Sequence, residues 1–139
     1  EEEHDCFSDN THNSHYYNVV GINNVFLGKY KSLDGKVVTG PSISSLLSEV
    51  DYGLNKKTKK SIKNTLKSMK KIVKSANKGI TYDMLIAEGN EKGNKLIQNA
   101  VDSLIKQSKN IELAAAALNI NDLQIEGSDS LDNPNAVFN

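Results

Sequence analysis

The chain of 139 residues has no Arg, no Trp, a single Cys and two Pro. Without Arg there is no guanidinium fork for bidentate contact to bases or phosphates, which argues against dedicated sequence-reading of nucleic acid. The lone Cys6 cannot form an internal disulfide, so no stapled framework holds the fold. No apolar run approaches the ~20 residues that a membrane span requires. A Gly-rich phosphate loop, H-E-x-x-H and G-x-S-x-G are all absent. Apolar residues make up 37%, low but adequate for a small helical domain.

The chain does carry charge, unevenly placed. The 17 Lys and 17 acidic residues cancel to a net charge of zero. Residues 1–12 carry Glu1, Glu2, Glu3, Asp5 and Asp9 with no Lys, and residues 52–82 carry ten Lys with no acid. From residue 110 onward the chain is acidic again, with Glu112, Asp122, Glu126, Asp129 and Asp132. The Lys-rich stretch reads first as a solvated outer surface around an apolar stripe; adhesion to an anionic membrane or nucleic acid is the weaker reading.

Spacing supplies the elements. Ile62, Leu66, Met69, Val73 and Ala76 step by four and three, which predicts a helix over about 55–77. Ile97, Val101, Leu104, Ile111, Ala115 and Leu118 predict a second over about 91–118, with Asn90 as its N-cap. Pro41 and the serines after it start a short helix near residue 42, and Asp51 caps the Lys-rich helix after it. Asp34-Gly35 before Val37 and Val38 predicts a hairpin or ordered loop at 29–40. Residues 82–87 read as one more helical turn, and the tail over 119–139 has turn composition. The sequence therefore predicts an all-α, up-and-down bundle with a small hairpin or loop insertion. Residues 1–28 form its first helix, and 41–77 hold the short helix plus the Lys-rich helix.

The first helix carries the candidate chemistry. At about 100° per residue, Glu1, His4, Asp5, Ser8, His12 and His15 share one face, which continues as Val19, Ile22, Phe26 and Tyr30. The apolar part must face a core, so the polar part points towards the same interior or its mouth. This predicts a polar pocket at one end of a bundle; a solvated helix start with surface histidines is the plainer alternative. The spacings Glu1-x-x-His4 and Asp9-x-x-His12 suit ligation of one metal ion from one helical turn. A complete di-iron site would need such motifs on two helices, and no other helix holds a His. Cys6 beside Phe7 reads as a structural thiol rather than a nucleophile. Asp129, Asp132 and Asn133 do not have calcium-loop spacing.

The runs EEEHDCFSDNTH, GINNVFLGKY, LDGKVVTGPSIS and EGSDSLDNP, in this order, resemble the imelysin-like family, peptidase family M75, also called insulin-cleaving membrane proteases. The match is to the C-terminal half of that family. Its G-x-H-x-x-E signature belongs to the N-terminal half, and none of His4, His12 and His15 is followed by Glu three residues on. The resemblance implies two helical bundles related by duplication, with a site between them. It implies an exported bacterial protein, periplasmic or a lipoprotein anchored at the cell surface, linked to iron uptake. Glu1, His4, Asp5, Ser8, Asp9, His12 and His15 would line a pocket shared with the N-terminal half of the same protein. That pocket would take a metal ion, iron or zinc, or an iron-containing ligand. The alternative is a metallopeptidase, in which the metal activates water. With no initiator Met and no leader pattern, the chain is expected to be a piece of a longer protein. A fourth bundle helix and any lipid anchor would come from the preceding part.

Overall fold

The computed structural model describes residues 4–120. Glu1 and the tail beyond residue 120 lie outside the described residues. The elements run, in chain order, α1 (Thr11–Leu27), β1 (Lys29–Lys31), β2 (Val37–Thr39), α2 (Ile43–Val50), α3 (Tyr52–Ala76), α4 (Tyr82–Ile86) and α5 (Glu91–Ala117). A short 3-10 turn, Cys6–Ser8, precedes α1. The predicted all-α bundle with a hairpin insertion is the fold that the chain forms.

Helix α3 is the central member, packing against α1, α2 and α5. Its partners give the directions. Val19 of α1 shares one buried cluster with Met69 and Ile72, while Phe26, seven residues later, shares another with Ile62. Likewise Ile97 and Ala100 of α5 belong to the cluster of Ile72, and Ala114 to that of Ile62. Both neighbours thus run antiparallel to α3, giving an up-down-up arrangement of three long helices. One core lies where α1 and α5 begin and α3 ends, closed by Leu85 of α4. The other holds Phe26, Leu47, Ile62 and Ala114 beneath α2.

The α3–α5 seam is partly polar, which explains the narrow apolar stripe. Thr58, Ser61 and Thr65 are buried there. The single hydroxyl proton of Thr65 is shared between the Ser61 carbonyl at 3.2 Å and the Ser103 carbonyl of α5 at 3.1 Å. Ser68 and Ser103 join their hydroxyls at 3.1 Å. A buried hydroxyl needs such partners, and the backbone of its own helix supplies the nearest.

The helix starts and turns obey the sequence signals. The Ser42 hydroxyl accepts from the Ser45 N–H at 2.9 Å to start α2, and Asp51 accepts from the Leu54 N–H at 2.8 Å to start α3. Asn90 caps α5 by accepting from the Gly93 N–H at 2.9 Å. The hairpin pairs Lys29 with Thr39 and Lys31 with Val37. At its turn the Ser32 hydroxyl, then the Lys36 N–H, donate to Asp34 and hold its carboxyl below the usual range. Gly28 ends α1 at φ 57°, and a Cβ there would stand 2.6 Å from the Pro41 carbonyl oxygen. Only glycine accepts both constraints at once.

One expectation is corrected. Residues 1–28 do not form one helix: among the described residues α1 begins at Thr11. The physical reason sits at Asp9, whose φ of 50° is left-handed and cannot continue a right-handed helix. The apolar face is corrected with it. Val19 and Phe26 are buried, but Ile22 is 38% exposed, and Tyr30 lies exposed on β1 rather than on the helix. On α3, Ile72 is buried in place of the expected Val73, which is only half-buried.

Candidate functional site

The segment ahead of α1 folds back over the helix start, and Asp5 holds it there. The Asp5 N–H donates to the Thr11 hydroxyl at 2.9 Å, and the Asp5 carbonyl accepts from the Asn10 N–H at 3.3 Å. One carboxylate oxygen accepts from the Ser8 hydroxyl at 2.8 Å, the other from the Ser14 hydroxyl at 3.1 Å. Thr11 is fully buried under this turn. An acceptor-only carboxylate is suited to the role, because it takes two hydroxyl donors without needing a proton.

The fold-back delivers His4 to His15. Their ring centroids lie 5.5 Å apart, tilted by 33°. His15, one turn into α1, also contacts the Tyr82 ring of α4 at 5.4 Å. It borders a recess of about 120 Å³ lined mainly by Met69, Ile72, Ile97 and Leu104. Burial, and secondarily the charge of His4, lowers the His15 pKa below the ordinary imidazole value. A neutral imidazole keeps a lone pair free, the form that binds metal ions.

His12 points elsewhere. Its Nε2 lies 3.3 Å from the Asn13 side-chain amide, which also donates to the Asn10 side-chain oxygen at 2.8 Å. An amide donor at Nε2 places the imidazole proton on Nδ1. That Nδ1 is buried and has no hydrogen-bond partner. A buried polar group left so costs about 1–3 kcal/mol, so it calls for an acceptor.

The predicted residues therefore divide. His4, Asp5, Ser8, His12 and His15 lie at one end of the bundle, with His4 and His15 in contact and Asp5 and Ser8 bonded in the turn beneath. Asp9 is exposed at the bend. Glu1 lies outside the described residues. Among the described residues, no three His, Cys, Asp or Glu side chains are grouped closely enough to hold a metal ion. They supply a pair of imidazoles and do not complete a metal centre by themselves. Sequence reasoning missed Ser14, Asn13 and Tyr82. Ser14 lies nine residues from Asp5 and Tyr82 lies on another helix, so no local spacing announces either.

A three-helix bundle with a polar, histidine-bearing turn at one end is the class that this geometry defines. The sequence model of the Imelysin family, Peptidase M75, matches residues 1–111. The chain belongs to that family. No curated protein matches the chain.

Proposed function

We propose that this chain is the C-terminal bundle of an exported imelysin-like protein of bacterial iron uptake. Its polar turn binds a metal ion, iron or zinc, or a metal-containing ligand, in a pocket shared with the N-terminal half of the same protein. The protein is periplasmic or held at the cell surface by a lipid anchor on that half. The carrying observation is the contact between His4 and His15 at 5.5 Å, with His15 sheltered and disposed to be neutral. These two would be ligands, with the remaining ones supplied by the other half. Tyr17 and Val25, exposed on α1 at 64% and 68%, offer apolar surface for that half to cover.

Calorimetric titration of the whole protein with iron(II) and with zinc tests the proposal. A saturable site is expected, weakened at least tenfold by His15→Ala or His4→Ala with helix content unchanged. No binding, or binding indifferent to both substitutions, refutes it. Peptide turnover abolished by a chelator and restored by metal would favour the metallopeptidase alternative.

A further inference from the structure

Helix α3 presents a second feature, on the side away from the histidines' core. Its 25 residues hold nine Lys and no acidic residue, and all nine are exposed. Their positions are not scattered. Lys56, Lys60, Lys63, Lys67, Lys70 and Lys74 step by four and three. Projected at about 100° per residue, eight of the nine fall within an arc of about 120°. That arc is centred opposite the face holding Thr58, Ile62, Thr65 and Met69, which are buried. The ridge from Lys56 to Lys74 is straight and about 27 Å long, at 1.5 Å per residue.

Nothing described neutralises it. Among the described residues the only ion pair joins Lys36 to Asp34 in the hairpin. Like charges a helical turn apart repel and weaken a helix, so the ridge is maintained against a local cost. Beside it, between α3 and α5, lies a recess of about 300 Å³ lined by Lys57, Lys60, Lys106, Asn64, Asn110 and Ser61. Its lining offers three ammonium groups and two amides, chemistry suited to the phosphate of a lipid headgroup.

We infer that the Lys ridge of α3 docks the protein on an anionic phospholipid surface, with a headgroup phosphate entering the recess between α3 and α5. Charge complementarity names the occupant, and shape narrows it. A straight, convex line of point charges meets a plane along its whole length. A nucleic-acid site would be expected to offer guanidinium forks and several stacking aromatics; the chain has no Arg, and α3 holds a single aromatic, Tyr52, one turn ahead of Lys56. Lysine is sufficient for a lipid surface, where each basic residue near the headgroups contributes additively.

Co-sedimentation of the full-length protein with vesicles tests the inference. Phosphatidylcholine vesicles containing phosphatidylglycerol should bind it, pure phosphatidylcholine should not, and added salt should release it. The triple substitution Lys60→Gln, Lys63→Gln and Lys67→Gln should weaken binding about 100-fold. The charge-matched triple Lys29→Gln, Lys31→Gln and Lys92→Gln, off the ridge, should weaken it less than tenfold. Circular dichroism of both variants should match the parent. Equal losses in the two triples would overturn the inference, as would equal binding to neutral vesicles. Tighter binding to nucleic acid than to the anionic vesicles would overturn it in favour of a polymer partner.

Discussion

Asp5 is the residue on which the geometry of the polar turn rests, and Asp5→Ala should reveal it. The substitution removes both side-chain bonds, to Ser8 at 2.8 Å and to Ser14 at 3.1 Å. A hydrogen bond to a charged group contributes about 1.5–3 kcal/mol when sheltered. Ser8 is exposed and Ser14 half-buried, so water replaces the first bond readily and the second poorly. The expected loss is about 2 kcal/mol for Asp5→Ala, about 1 kcal/mol for Ser14→Ala, and under about 0.5 kcal/mol for Ser8→Ala. Urea unfolding of the three variants and of the Asp5/Ser14 double variant gives the coupling directly. It should be about 1 kcal/mol. A coupling near zero would refute the argument, because it would mean that the carboxylate does not hold α1. The same variant should shift the proton resonances of the His15 ring, since His4 is delivered to it by this turn.

Gly93→Ala would put a Cβ 2.4 Å from the Leu85 carbonyl oxygen and 2.6 Å from the Asn90 amide nitrogen; backbone must move, and a loss of at least about 2 kcal/mol is expected in urea unfolding. Leu47, fully buried in the core that also holds Phe26 and Ile62, should cost about 3 kcal/mol as Leu47→Ala, and more than Leu46→Ala, whose side chain is 55% exposed. The lowered pKa of His15 has a definite sign. The unfolded chain takes up the proton first, so His15 contributes stability above its ordinary value near 6.5 that is lost as pH falls through the folded value. His15→Gln should flatten that part of the stability–pH profile, and a profile unchanged by it would refute the assignment.

How far the fold was legible depended on how local each signal was. Asp51, Ser42 and Asn90 act within three residues of their own position, and all three cap the helices that they were expected to cap. The four-and-three stepping of Ile62 and Met69 reports a helix face directly, because burial of that face is the property that the pattern expresses. Val73 and Ile72 are about 100° apart on the same helix, so the edge of the face depends on which neighbour packs there, and the sequence of α3 alone does not contain α1. The polar seam of Thr58 and Thr65 was illegible for a similar reason. A threonine reads as surface until a second helix closes over it.

The site shows the same division more sharply. Helical spacing placed His4 and His15 on one face of one continuous helix, and they do meet, but not along a helix. Eleven residues separate them, close to three helical turns, so the arithmetic of a face and the reality of a fold-back gave the same pair. The two routes differ in consequence. Side chains three turns apart on a straight helix lie about 16 Å apart, too far to touch one ligand, whereas the fold-back sets the rings at 5.5 Å. The left-handed bend at Asp9 and the Asp5 carboxylate convert a periodic coincidence into a contact. A substitution that restores helix across residues 4–10 would therefore be expected to strengthen the local helix and abolish the histidine pair. Replacing Asp9 with Ala, which disfavours a φ of 50°, is that substitution. It should raise helicity by circular dichroism while weakening any metal binding that depends on His4. If binding survives with helicity raised, the pair is not the ligand set.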